Sequence, residues 1–199
     1  MSIAIIKYNA GNIRSVSFAL ERLGYKPEIT SDPEAIRKAD KVIFPGVGEA
    51  GTTMAFLKKE GLDEIIPSLK QPVLGICLGM QLMCSFSEEG NTECLGIFDE
   101  PVRKFTLQKE ADRKYKIPHM GWNNIARVKS PLFDSTLENQ FVYFVHSYYV
   151  PTGHDTAAES NYIHPFSAAL QKDNFFATQF HPEKSGKVGE KILRNFLMI

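Results

Sequence analysis

The strongest constraint on this chain is the rhythm of its first half, where four short strand-like runs are separated by stretches of helical periodicity. "IAIIKY" (residues 3–8) reads as a buried strand, after which Gly11-Asn12 turn the chain. "IRSVSFALERLG" then places Val16, Leu20 and Leu23 at helical spacing, with Gly24 as a stop signal. "KPEIT" is a short second strand. "SDPEAIRKAD" carries a capping-box pattern, Ser31 with Glu34 three residues on, and a proline suited to a helix's first turn. "KVIFPG" and "QPVLGIC" are the third and fourth strands, with a helical stretch, "TTMAFLKKEGLDEIIPSLK", between them. The order β-α-β-α-β-α-β implies an α/β fold, a mainly parallel open sheet with helices on both faces. From about residue 95 the pattern becomes "VRKF", "IARVK", "FVYFV", "FSAALQ" and "FFATQF", a mixed or antiparallel extension, closed by a helix in "SGKVGEKILRNFLMI". No repeat or low-complexity linker divides the chain, so one domain over residues 1–199 is expected.

Composition removes several classes of function. With 199 residues, 43% of them hydrophobic and 23% charged, the chain can bury a full core. Lys plus Arg balances Asp plus Glu, so no net field favours nucleic acid or an anionic membrane as partner. The longest largely apolar run, Val73 to Phe86, is interrupted by glycines and Gln81 and is too short to span a bilayer. The N-terminal "MSIAIIKYNAGN" has neither a basic leader nor a cleavable apolar stretch, and a cytoplasmic location is expected. Cys77, Cys84 and Cys94 are odd in number and form no CxxC pair, which suggests neither a disulfide framework nor a metal site.

"GICLGMQ" (residues 75–81) sets one of these cysteines between two glycines at the end of a buried parallel strand. Ligands bind at the carboxyl ends of strands in open α/β sheets. Small-x-nucleophile-x-small at a strand-to-helix turn is the nucleophile elbow: the glycines leave room for a strained backbone that exposes the side chain. The helix that follows, with Leu78, Leu82, Met83 and Phe86 at helical spacing, offers its positive end to a thiolate. Cys84 and Cys94 have no such setting and read as structural. A thiolate needs a base, and the base an orienter. In "TQFHPEKS", Pro182 biases His181 towards an extended backbone, so that His181 and Glu183, two apart, face the same way. Brought to Cys77, they would complete a Cys-His-Glu triad.

"GICLGMQ" and "FHPEKS", about a hundred residues apart, resemble the signature pair of triad-type (class I) glutamine amidotransferases, whose flavodoxin-like sheet this would be. The resemblance covers essentially the whole chain. "FPGVGEAG" (44–51), "PHMGWN" (118–123) and "YFVHSYY" (143–149) narrow it to the glutaminase subunits of imidazole glycerol phosphate synthases, in histidine biosynthesis. Glutaminase subunits of other synthases, for anthranilate or pyridoxal phosphate, would share the triad but generally lack "PHMGWN".

The resemblance implies that Cys77 attacks glutamine, His181 moves the protons and Glu183 orients it, with no cofactor or metal. The Leu78 amide is one oxyanion donor by elbow geometry, and the family supplies Val47 as the other, flanked by Gly46 and Gly48 that would let its peptide reorient. Gln81, four residues past the nucleophile, and the backbone around His146, Ser147 and Tyr148 would bind the substrate. The implied partner is a separate cyclase with a (β/α)₈ barrel, in a heterodimer that receives the ammonia. Asn12, His119, Met120, Gly121, Trp122, Asn123, Tyr143 and Lys184 are the expected interface, with Trp122, in a Gly/Asn loop, as the anchor.

Overall fold

In a computed structural model of the chain, which describes residues 1–8, 13–107 and 114–199, the first half alternates as its sequence implies. The elements are β1 (Ile3–Ile6), α1 (Ile13–Arg22), β2 (Glu28–Thr30), α2 (Pro33–Lys38), β3 (Lys41–Phe44), α3 (Ala50–Lys59), α4 (Leu62–Ser68), β4 (Val73–Ile76) and α5 (Leu78–Met83). The second half adds β5 (Phe86–Ser87), β6 (Thr92–Glu93), β7 (Pro101–Lys104), β8 (His119–Asn124), β9 (Phe141–His146) and β10 (Tyr148–Tyr149). It closes with β11 (Thr156–Tyr162), β12 (His164–Lys172), β13 (Phe175–Thr178) and α6 (Gly186–Met198). The Gly11-Asn12 turn, and with it Asn12, lies outside the described residues.

The main sheet runs β11-β12-β13-β4-β3-β1-β2. It is parallel from β13 to β2, and β12 and β11 add antiparallel pairs at the other edge. Fully buried strands such as "IAII" and "VLGI" are what a sheet covered on both faces requires. One core layer packs α1 (Val16, Leu20) and α6 (Ile192, Phe196) against Ile5, Ile43 and Leu74. The opposite layer packs α2 to α5 (Ile36, Leu57, Ile66, Leu82) against Ile6, Val42 and Val73. No helix among the described residues is long and apolar enough to cross a membrane.

Several local expectations are corrected. Asp32, not Ser31, caps α2, its side chain accepting from the Glu34 amide. The helical stretch after residue 50 is two helices, parted at Gly61, whose φ of 68° is left-handed. "IARVK" is no strand: Ala126 makes an isolated bridge to Glu159, and Arg127 at φ 53° breaks the extended run. "PHMGWN", expected as a loop with Trp122 in it, holds strand β8, which pairs with β9 in full register, Trp122 opposite Tyr143 and Met120 opposite Val145. Its glycine and asparagines are turn formers by propensity, but β9 supplies a complete ladder that overrides them. Strand β11, unforeseen in the sequence, has small and polar residues that pair with β12.

Candidate active site

Strand β4 delivers Cys77 to the carboxyl edge of the sheet, and the backbone there is strained as an elbow demands. Cys77 has φ 53° and ψ −107°, in a region that non-glycine residues avoid. The neighbouring strand presses directly on this turn, an approach that only glycines allow. A Cβ on Gly79 would sit 2.0 Å from the Phe44 carbonyl oxygen, and one on Gly46 2.2 Å from the Gly79 nitrogen. Gly46 is thus used for close packing against the elbow rather than for the freedom to reorient expected of it. Gly48, at φ 135°, does use that freedom.

The β4–β13 register explains how the histidine arrives. Thr178 pairs with Ile76, and the Cys77 amide donates to the Thr178 carbonyl at 2.7 Å, so the chain leaving β13 runs alongside the elbow. His181 follows, fully buried, with Nδ1 2.8 Å from Glu183 Oε1. His181 itself is extended, as Pro182 implies, but residues 182–184 form a 3₁₀ turn, so the turn and not an extended run brings the carboxylate back. Burial opposes the imidazolium. The Cys77 charge and hydrogen bond, with Glu183 behind, outweigh it and raise the His181 pKa above its ordinary value. Ser185 fastens the arrangement, its hydroxyl donating to the His181 carbonyl (2.7 Å) and accepting from the Tyr143 amide (3.0 Å), while the His181 amide donates to the Tyr143 carbonyl (2.9 Å).

Cys77 and His181 open into a cavity of about 330 Å³. Val47, Gly48, Leu78, Gln81, His146, Ser147 and Tyr148 line it too, so most of the residues picked from sequence converge on one space. Gly46 lies behind the wall. Gln81 spends its amide nitrogen inside the protein, on the Tyr148 carbonyl and on Gln179 Oε1, both at 2.9 Å. Tyr8 was not anticipated: its hydroxyl donates to the Pro45 carbonyl at 2.5 Å. Burial and the nearby Cys77 push its phenol pKa up, against a hydrogen bond from the Val47 amide. Glu89, at the cavity mouth, was also missed, because "SEEGN" reads as a solvated turn; its Oε2 accepts from the Ala50 amide at 2.9 Å.

A model of the family described as "Glutamine amidotransferase class-I" matches residues 4–199. The chain belongs to that family. It is 66% identical over 197 residues to the imidazole glycerol phosphate synthase subunit HisH of Bacteroides thetaiotaomicron, covering 99% of both chains. It is 46% identical to the HisH subunit of Yersinia pseudotuberculosis, again over 99% of each. Among solved structures, a glutamine amidotransferase superposes with a TM-score of 0.75 at 16% identity, covering 100% of this chain and 98% of the other, a likeness of fold.

Behind the amidotransferase's cavity wall, His146 and His119 form a buried pair. His146 Nδ1 must donate to the Tyr148 carbonyl (2.7 Å), which leaves its Nε2 to accept from His119 Nδ1 at 3.0 Å. Burial lowers His119 to about 4 and His146 to about 3, so both rings are neutral at pH 7. His119 stacks on Tyr162 with centroids 3.9 Å apart, and it is buried, unlike its neighbours on β8. The sign of the pH effect follows. An unfolded histidine takes a proton near pH 6.5, but His119 in the fold does so only near 4. Between those values the unfolded state binds more protons, so stability present above pH 6.5 is lost as pH falls towards 4. Thermal melts across this range are expected to show a falling midpoint, and His119→Phe, which keeps the stacking but cannot titrate, to flatten the fall.

Proposed function

We propose that this amidotransferase is the glutaminase subunit of an imidazole glycerol phosphate synthase, acting in the cytoplasm and passing ammonia to a separate (β/α)₈-barrel cyclase. The observation that carries this reading is a thiol elbow with its His-Glu pair, set beside an exposed apolar face on the very ribbon that walls the cavity. Met120 (64% exposed), Trp122 (57%) and Phe141 (57%) stand on the outer face of the β8–β9 ribbon, with Tyr143 half-buried among them. Val145, paired with Met120 on the same ribbon, reaches the cavity, its carbonyl 3.8 Å from Cys77 Sγ. The near full-length likeness to HisH subunits supports the same assignment.

The chemistry runs in two halves. Cys77, as thiolate, adds to the side-chain amide carbon of glutamine. Imidazolium His181 protonates the departing nitrogen, so ammonia leaves and a γ-glutamyl thioester remains. Neutral His181 then takes a proton from water, the hydroxide adds to the thioester, and the C–S bond breaks with its electron pair returning to sulfur. Glu183 holds the imidazole tautomer and supports its charge. The Leu78 amide, at the first position of α5, and the Val47 amide would hold the oxyanion, each lowering the barrier by about 3 kcal/mol. Gln81 retains its Oε1 for the substrate, the backbone at His146, Ser147 and Tyr148 lines its path, and Glu89 offers a countercharge to its ammonium group.

Docking would use Met120, Gly121, Trp122, Tyr143 and exposed Lys184, with His119 and Asn123 supporting the ribbon from within. Trp122→Ala is expected to weaken cyclase binding about 30-fold or more, equivalent to about 2 kcal/mol, with the chain's melting temperature unchanged; titration calorimetry reads this. The function itself is tested by glutamate release, alone and with the cyclase and its ribotide ligand. Low release alone and strong release in the complex are expected. Strong, partner-independent release would overturn the synthase reading, and none in either case would overturn the triad.

A further inference from the structure

Gln179 lies between the nucleophile and the helix that follows it, fully buried, and the mechanism above gives it no role. Its orientation is dictated by a carbonyl two residues away in the hydrogen-bond chain. The Tyr148 carbonyl can only accept, so the Gln81 atom 2.9 Å from it is the amide nitrogen Nε2. That same nitrogen lies 2.9 Å from Gln179, which must turn its Oε1 towards it. Gln179 Nε2 is then left facing Cys77 Sγ, 3.7 Å away. The Tyr148 oxygen is itself held by His146, and His146 by His119, so neutral groups with fixed donor and acceptor roles run from β8 to the sulfur. The Val145 carbonyl, 3.8 Å from the sulfur, accepts only; it can take a thiol proton but gives a thiolate nothing.

We infer that Gln179 is a further catalytic residue, an N–H donor locked onto the Cys77 sulfur that stabilises it as thiolate. It acts twice in each turnover. Before attack it raises the fraction of Cys77 present as thiolate. When the thioester is hydrolysed, it receives the electron pair that returns to sulfur as the C–S bond breaks. Gln81, chosen from the sequence as a substrate contact, doubles as the residue that keeps this donor from flipping.

The inference rests on Cys77 being the nucleophile, but its test needs neither glutamine nor a cyclase. Alkylation of Cys77 by iodoacetamide is followed by mass spectrometry against pH in the parent chain, in Gln179→Met, which has no donor, and in Gln179→Asn, which is one methylene short. The ionisable groups facing the sulfur are His181 with Glu183 behind it, Tyr8 from the end of β1, and His146 acting through His181; both variants leave them in place. The alkylation midpoint is expected to rise by about one pH unit, a tenfold smaller thiolate fraction at a given pH. A variant that melts at a lower temperature but keeps the parent midpoint would show that Gln179 only packs, and would overturn the inference. Should neither variant fold, the parent carries the test: the ¹H–¹⁵N resonances of the Gln179 side-chain amide should move with the alkylation midpoint, and their failure to move is equally decisive. A normal midpoint shift beside absent glutaminase activity would instead count against the proposed function alone.

Discussion

Glutamate release is expected to fall about 10⁴-fold or more when Cys77 is replaced by alanine, with little change in melting temperature. The size follows from covalent catalysis: without sulfur there is no thioester, and His181 has no nucleophile to pair with. Stability should be spared because the side chain is small, it faces the cavity, and its elbow backbone is set by the β3 contact. The complex supplies a second arm. Ammonium salts at alkaline pH, where free ammonia is abundant, should still drive the cyclase reaction with the Cys77→Ala subunit bound. Release within tenfold of the parent would mean that another group attacks glutamine.

Gly79→Ala is expected to cost about 3 kcal/mol or more, which for a chain of this size lowers the melting temperature by roughly 6–12 °C. The cause is a contact, not propensity, since alanine is the better helix former. The added methyl would meet the Phe44 carbonyl at 2.0 Å, and backbone cannot swing aside as a side chain can. Relief requires β3 to withdraw from the elbow, carrying Gly46 to Gly48 with it, so surviving folded protein should also lose activity. Gly96→Ala offers the contrast. It meets nothing within 4 Å and suffers only its φ of 66°, a cost of about 1 kcal/mol. Equal melting temperatures for the two variants would remove the interlocked elbow from the account.

The parallel half of the fold was legible because each strand there is a short apolar run between helices that announce themselves by spacing and caps. The strained Cys77 turn and the His181–Glu183 contact were legible for a related reason, their glycine and His-Pro-Glu patterns being local, although β3 packs against the first and a 3₁₀ turn, not an extended run, closes the second. What escaped is non-local. Strand β8 looks like a turn until β9 lies against it. Gln179 is one polar residue at the end of an apolar strand, and nothing in "ATQFH" says that its amide meets a cysteine about a hundred positions away. Tyr8 looks like the last residue of a buried strand, although its hydroxyl reaches the segment after β3. Gly46 was read for conformational freedom when its value lies in what it allows to come near.

The placement of β13 between β4 and β12 has a consequence for biosynthesis. The ribosome delivers Cys77 early, yet the strand that brings His181 beside it comes almost last and adds to the open edge of β4, joining β12 and β11 to the sheet. Until then β4 presents an unpaired edge on the β13 side, and its cysteine has no histidine beside it. On the proposed mechanism, nascent and C-terminally clipped chains are therefore expected to be silent towards glutamine. The cell would thus be spared ammonia from unfinished subunits, while the open β4 edge would mark those same chains for aggregation or proteolysis.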